Sequence, residues 1–145
     1  MTAAAPGKVL HLDQVAVGDE LPELAVELST SLIVAGALAS RDYTPVHHDR
    51  SAATGTGMQD VFMNILTTNG FVGRYVTDWA GRDAVIKRVA IRLGTPNLPG
   101  DTMRMTGTVA DKNDEDGVVV VDVAGKNSWG VHVTGTVTVA LPRGA

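Results

Sequence analysis

Apolar and polar residues alternate along much of the C-terminal half of the chain, a pattern typical of strands with one buried face. The alternation is clearest over Thr102–Asp111, and valine-rich runs follow at Val118–Asn127 and Gly130–Leu141. Ala84–Leu93 is another strand candidate, and Leu24–Leu28 alternates in the same way near the start. The pattern therefore predicts four consecutive antiparallel strands preceded by an earlier fifth strand.

The middle of the chain has a helical period instead. One apolar stripe, with steps of about three to four residues, is formed by Phe62, Ile65, Leu66, Val72 and Val76. It predicts a helix over Asp60–Trp79 that stops at Gly81 and is roughly 30 Å long, at about 1.5 Å per residue. Because one long helix is segregated from the strands, we predict an α+β fold whose sheet curls around that helix. The outer face of the sheet should carry Lys87, Arg92, Arg104 and Lys126.

Two shorter helices are predicted before the long one. Ser29-Thr30-Ser31 can cap a helix over Leu32–Ala39, because hydroxyl oxygens accept the free amides of a first turn. Asp49 can cap another through Ala53. The residues before Pro45 disfavour helix, so Asp42–His47 should be a loop between the two.

Composition narrows the class of protein. The 145 residues, 44% of them hydrophobic, suit a single domain spanning 1–145, with residues 1–10 as a flexible tail. A net charge of −4 without a basic block argues against nucleic-acid binding. The longest apolar run, Leu32–Ala39, is too short to span a membrane. The absence of cysteine excludes disulfides and thiolate metal sites, and is compatible with a cytoplasmic protein.

Candidate chemistry is concentrated in Ser40–Arg50, which reads SRDYTPVHHDR. Asp42 precedes His47 by five positions, with Pro45 fixing the turn between them. A carboxylate and an imidazole placed together can share and activate one water. Spacing alone favours structural roles, a turn aspartate and a packed loop histidine. A metal site at His47–His48 or His48–Asp49 lacks a third ligand within sequence reach, so we predict no metal.

The segment Asp42-Tyr43-Thr44-Pro45-Val46-His47 resembles the D-x-N-P-x-H signature of the MaoC-like, (R)-specific enoyl-CoA hydratases. The resemblance implies a hot-dog fold, an antiparallel sheet wrapped around a long central helix. It also implies that Asp42 is a general base and that His47 binds the same water and delivers a proton. No cofactor is implied, because coenzyme A is part of the acyl-CoA substrate. The asparagine of the signature is replaced by Thr44, which can also hydrogen-bond locally in a turn.

Longer stretches resemble one subgroup of that family. Three segments are similar to small actinobacterial MaoC-like subunits of steroid (cholesterol) side-chain degradation. They are VHHDR, Asn64–Thr67 and Arg74–Gly81. That likeness implies a steroid side-chain enoyl-CoA as substrate. It also implies a hetero-oligomer with a larger MaoC-like subunit, with a homodimer as the alternative.

The remaining site predictions depend on the same resemblance. The family carries an A-H-G-M-like start to its central helix, whose glycine amide serves the oxyanion; here the sequence reads Val61–Asn64. We expect the backbone amide of Met63 or Asn64 to take that role. Arg74 and Arg82 are candidates for binding the phosphates of coenzyme A, although solvated arginines are common at helix ends.

Two other functions remain open. The chain could be a non-catalytic MaoC-like partner that shapes the tunnel of another subunit. It could also be a hot-dog acyl-CoA thioesterase. Thioesterases of that fold place their acid on the central helix, and Val61–Gly70 offers no carboxylate.

Overall fold

A computed structural model describes residues 7–144. Within this range the strands are β1 (Glu20–Glu27), β2 (Val85–Leu93), β3 (Thr102–Asn113), β4 (Val118–Asn127) and β5 (Gly130–Ala140). The α-helices are α1 (Thr30–Ala39), α2 (Arg50–Gly55) and α3 (Ile65–Ala80). The predicted α+β layout is confirmed, and the four later strands lie where the alternation put them. The first strand begins at Glu20, four residues before the predicted Leu24.

One antiparallel sheet contains all five strands in the order β1-β3-β4-β5-β2. The two edges are therefore β1 and β2. Buried residues alternate along β3 and β4, so one face of the sheet lines the core. The opposite face carries exposed Lys87, Arg92, Arg104 and Lys126, as predicted.

A β-bulge changes the alternation in β5. Gly125 pairs with Val133 and Lys126 pairs with Val131, so His132 is the extra residue. Bulges re-aim side chains, and here both His132 and Val133 are buried. An imidazole is thereby placed in the core, facing α3.

The long helix α3 packs its buried face against the concave face of the sheet. Its core side chains are Thr68, Val72, Tyr75, Val76 and Ala80. It ends at Gly81, as predicted, where a φ of 88° suits glycine.

The predicted start of this helix was wrong. Val61–Asn64 is irregular backbone, and α3 begins at Ile65 because the Asn64 side chain caps it by accepting from Thr67 N. The predicted apolar stripe was also wrong at its second and third members, since Ile65 and Leu66 are each 51% exposed. Four residues of non-helical backbone therefore lie directly before the helix.

The helix α1 crosses α3 close to that irregular backbone. Gly36 makes the approach possible, since a Cβ at this position would collide with the Thr67 hydroxyl. Ser29 caps α1 by accepting from Leu32 N over 3.0 Å, which confirms the predicted cap. The end of α1 is consequently held beside the start of α3.

Part of the predicted flexible tail is paired with the rest of the fold. Residues 1–6 lie outside the described residues. Val9 forms a β-bridge with Gly81, and Leu10 N donates to Ala80 O over 3.1 Å. The prediction of a tail through residue 10 is corrected for these two residues, which close over the end of α3. No helix within residues 7–144 is long and apolar enough to cross a membrane.

Candidate active site

The backbone that presents Asp42 is the C-terminal end of α1. Arg41 N donates to Leu38 O and Asp42 N donates to Ala37 O, a pair of bonds that forms a Schellman motif. Glycine usually occupies the left-handed position of this motif, but here it is Arg41, with a φ of 56°. The motif fixes the main chain of Asp42 directly against the last turn of α1.

The Asp42 carboxylate is held by several donors. Its Oδ1 accepts from Thr44 Oγ1 at 2.7 Å and from Thr44 N at 3.2 Å, while its Oδ2 accepts from Asn64 Nδ2 at 3.1 Å. The Thr44 hydroxyl, followed by the Asn64 amide, lowers the pKa of Asp42 below its ordinary value of 3.8. Asp42 is therefore held as a carboxylate, and Thr44 forms the local hydrogen bond that was expected of it.

The His47 ring has one nitrogen committed to the main chain. Nδ1 lies 2.7 Å from Phe62 O, and a carbonyl can only accept, so Nδ1 carries a proton. The ring also meets the Phe62 ring edge to face, with centroids 4.9 Å apart. Pro45–His47 is a 3-10 turn that buries the imidazole, leaving 9% of the side chain exposed.

Asp42 and His47 converge as the sequence predicted. His47 Nε2 lies 3.3 Å from Asp42 Oδ2, and the Asp42 side chain is 21% exposed. With Nδ1–H bonded to Phe62 O, a neutral ring directs the lone pair of Nε2 toward Asp42 Oδ2. Nε2 and Oδ2 are then two neighbouring acceptors, which can bind one water together and exchange a proton with it.

Asn64 connects the two halves of the site, a role that was not predicted. Its Oδ1 accepts from Thr67 N and from the Thr67 hydroxyl, and its Nδ2 donates to Asp42 Oδ2 and to Ser40 Oγ. Only 2% of Asn64 is exposed, although the predicted apolar stripe of the helix did not include it. Asparagine is one of the preferred N-cap residues, and this sequence signal could have identified Asn64 as the cap of α3.

The two amides predicted for the oxyanion differ in their partners. Met63 N donates to Asn97 O over 3.1 Å, so this amide is already engaged by the fold. Within residues 7–144 the backbone N–H of Asn64 has no such acceptor. It lies at the N-terminus of α3, where the amides and the helix dipole favour negative charge.

A mainly apolar groove of about 340 Å³ lies between α1 and α3, beside the site. It runs from Ser40 and Thr67 past Leu66 and Gly70 to Arg74. Arg74 pairs with Asp78 in the next turn, with Nε 3.2 Å from Oδ2. Arg82 lies beyond the other end of α3, exposed and 3.5 Å from Asp83, so the structure does not bring the two arginines to one place.

The neighbours of the pair have structural roles. Asp49 caps α2, accepting from Ala52 N over 3.1 Å, as the sequence predicted. His48 is exposed. Among residues 7–144, no three His, Asp or Glu side chains are close enough to hold a metal ion.

Comparison with known proteins shows the family of the chain. Residues 14–129 match the model of the family described as "MaoC like domain". The chain belongs to this MaoC-like family. It is 48% identical over 125 residues to the "3-oxo-4,17-pregnadiene-20-carboxyl-CoA hydratase beta subunit" of Mycobacterium tuberculosis, covering 86% of this chain and 95% of that protein. The predicted family resemblance is confirmed.

Two solved structures agree with the fold. A chain of the ChsH1-ChsH2 complex from Mycobacterium tuberculosis matches with a TM-score of 0.84 and 48% identity, covering 87% of this chain and 98% of that one. The R-hydratase PhaJ1 from Pseudomonas aeruginosa also matches with a TM-score of 0.84, covering 92% of this chain and 86% of that one. At 18% identity, the second likeness shows the fold alone. The hot-dog fold is confirmed.

Proposed function

We propose that this chain is a hydratase subunit that adds water across the double bond of an enoyl-CoA thioester. The observation that carries the proposal is the convergence of Asp42 Oδ2 and His47 Nε2, 3.3 Å apart, beside the N-terminus of α3. Membership of the MaoC-like family supports the same reaction class.

The pair would activate one water. Asp42 acts as the general base, taking a proton from the water as the water oxygen attacks Cβ. That proton crosses the 3.3 Å from Asp42 Oδ2 to His47 Nε2, and His47, which binds the same water, delivers it from Nε2 to Cα. One O–H bond of the water is thus broken, an O–Cβ bond forms, and the π electrons of the double bond form the new Cα–H bond. Asp42 is then again a carboxylate, and His47 again has a lone pair at Nε2.

Negative charge develops on the thioester oxygen during the attack, and the start of α3 would stabilise it. We assign the donor to the backbone amide of Asn64, because the Met63 amide is engaged by Asn97. The Asn64 side chain holds the same backbone next to Asp42, so the water and the oxyanion donor have a fixed separation. The role of Met63 stays a prediction.

The substrate proposal is a steroid side-chain enoyl-CoA. The name of the mycobacterial relative describes a double bond starting at C17 and a CoA thioester on C20, which is an α,β-unsaturated thioester. The apolar groove between α1 and α3 suits an elongated substrate, and Arg74 at its far end is the better-placed candidate for a coenzyme A phosphate. Arg82 and the (R) configuration of the product stay predictions.

The partner proposal follows from the same relative. The matched chain was solved in the ChsH1-ChsH2 complex. We propose that this chain assembles with a larger MaoC-like subunit through an exposed sheet edge, since β2 is unpaired on one side and exposes Val85 and Leu93. Tagging this chain in its own organism and sizing what copurifies tests this; a stable, active homodimer would overturn it.

Substitution of the pair tests the reaction. In the copurified complex, Asp42→Asn and His47→Ala should each lower kcat for enoyl-CoA hydration by roughly 100-fold or more, followed as loss of enoyl absorbance. His48→Ala is the matched control, because it removes the adjacent exposed imidazole, and it should keep normal activity. Chiral chromatography of the hydroxyacyl product from a straight-chain trans-2-enoyl-CoA tests the (R) assignment.

Other outcomes separate the remaining functions. Unchanged hydration in both pair variants would assign catalysis to the partner and leave this chain a tunnel-shaping subunit. Release of free coenzyme A thiol without hydration would identify a thioesterase. The latter is disfavoured by geometry, because Asp60 precedes α3 and bonds Val61 N instead of lying on the helix.

A further inference from the structure

The peptide between Phe62 and Met63 is bonded on both sides. Its carbonyl accepts from His47 Nδ1 over 2.7 Å, and its N–H donates to Asn97 O over 3.1 Å. The C=O and N–H of a trans peptide point in opposite directions within its plane, so the imidazole and Asn97 lie at opposite edges of one rigid planar group. A displacement of Asn97 therefore rotates the carbonyl that holds His47.

Asn97 is itself fixed from two directions. It is fully buried in the loop between β2 and β3, and its Nδ2 contacts Met103 Sδ at 3.2 Å. Its Oδ1 accepts from Asn127 Nδ2 at 2.9 Å. Burying this amide costs free energy unless its polar atoms are bonded, so its placement is specific.

Asn127 lies at the end of β4, in the turn that leads into β5, and all its side-chain groups are used. Nδ2 donates to Pro96 O and to Asn97 Oδ1, each over 2.9 Å. Oδ1 accepts from Trp129 N at 2.9 Å. Asn127 therefore holds the loop between β2 and β3 in place, and that loop in turn holds the Phe62–Met63 peptide through Asn97.

His132 holds the same loop from the core. Its Nδ1 donates to Thr95 O over 2.6 Å, so Nε2 accepts from the Thr68 hydroxyl over 2.9 Å. Thr68 is one helical turn after Asn64, and its N–H donates to Asn64 O. The loop and the first turn of α3 are thus tied to each other independently of His47.

We propose that Asn97 and Asn127 are positioning residues for His47, which act through the Phe62–Met63 peptide to fix the tautomer and direction of the imidazole. Neither side chain touches Asp42 or His47. The donated N–H bond polarises the peptide and makes its carbonyl a better acceptor for Nδ1–H. The effect on rate rests on the proposed hydratase function, whereas the effect on the imidazole does not.

The test uses the copurified complex with Asn127→Asp and Asn97→Ala. Asn127→Asp keeps the shape and the acceptor for Trp129 N but removes both donated bonds. We expect kcat to fall roughly tenfold or more with KM nearly unchanged. In ¹⁵N-histidine NMR, the His47 signals should change from an Nδ1–H tautomer to a mixture, with the resonances assigned by their loss in His47→Gln.

Asn113→Ala is the matched control. Asn113 is also a hairpin-turn asparagine, bonded to Asp116 through both side-chain groups, but it lies at the other end of the β3–β4 hairpin. It should lower the melting temperature without changing kcat or the His47 tautomer. If Asn97→Ala does not fold, the kcat and the His47 tautomer of Asn127→Asp alone test the proposal.

The proposal is overturned if Asn127→Asp lowers the melting temperature but keeps the wild-type His47 tautomer and kcat. If the wild-type complex shows no hydration while the variants still change the tautomer, the proposed function fails and the positioning role stands.

Discussion

Asn64 donates a hydrogen bond from Nδ2 to Oδ2 of Asp42 over 3.1 Å, while its Oδ1 caps α3. One side chain therefore begins the central helix and orients the carboxylate 22 residues earlier in the chain. Helix capping and site geometry can be separated experimentally, because an acceptor alone is enough for the cap.

Asn64→Ser should separate the two roles. The hydroxyl oxygen can still accept from Thr67 N, so the free energy of unfolding should fall less than in Asn64→Ala, whereas hydration should fall strongly because the amide that donates to Asp42 Oδ2 is gone. Asn64→Ala should lose activity and also about 0.5–2 kcal/mol of stability. Urea unfolding and the enoyl absorbance assay measure the two effects.

Ser29→Ala is the control for Asn64, since Ser29 caps α1 without contacting Asp42. It should lose a similar stability, about 0.5–2 kcal/mol, and keep kcat. Full activity in Asn64→Ser would show that the side-chain amide of Asn64 does not orient the Asp42 carboxylate.

Thr44→Val should raise the pKa of Asp42 toward 3.8, because the Thr44 hydroxyl is the largest cause of its lowered value. The sign for stability follows from linkage: a lowered folded pKa stabilises the fold above the unfolded pKa, and this contribution disappears as the pH falls through the folded pKa. A ¹³C titration of the Asp42 carboxyl checks the shift. Thr44→Ser retains the hydroxyl and should titrate as wild type; identical curves for Val and Ser would contradict the assignment.

Arg41→Gly should stabilise the fold by up to about 1 kcal/mol, because a left-handed backbone is unfavourable for a residue with a Cβ. Arg41→Ala removes the same side chain but keeps the Cβ, so it serves as the control and should be close to neutral. Urea unfolding compares the two variants. An Arg41→Gly protein no more stable than Arg41→Ala would show that the φ of 56° carries no strain.

His132 should make the fold less stable in mild acid. Burial lowers its pKa below 6.5, with the Thr95 carbonyl bond opposing the shift, so the folded state favours the neutral ring. The unfolded chain then binds more protons, and stability falls as the pH decreases below 6.5 toward the lower folded pKa. As the pH is lowered through this window, the melting temperature should fall in wild type and in the exposed-histidine control His48→Gln. In His132→Gln the melting temperature should depend less on pH. An unchanged pH dependence in His132→Gln would assign the effect to other groups.

The strands could be predicted from sequence because their alternation is local. Val118–Asn127 has the same bounds in the structure as in the pattern, since a half-buried sheet forces alternate residues inward. The start of α3 could not be predicted in this way. Asn64 starts the helix through a side-chain cap that also bonds Asp42, and helical periodicity contains no information about that distant partner.

The sequence by itself determined the fold class, the pairing of Asp42 with His47 as candidates and the resemblance to MaoC-like hydratases. These depend on short-range patterns and on one contiguous motif. Only the tertiary structure decided which atoms face each other. The Nδ1–H of His47 is fixed by Phe62 O, and the Met63 amide is engaged by Asn97, 34 residues further along the chain. Hydrogen bonds between segments so far apart depend on how the sheet closes around α3, and no local pattern encodes that closure.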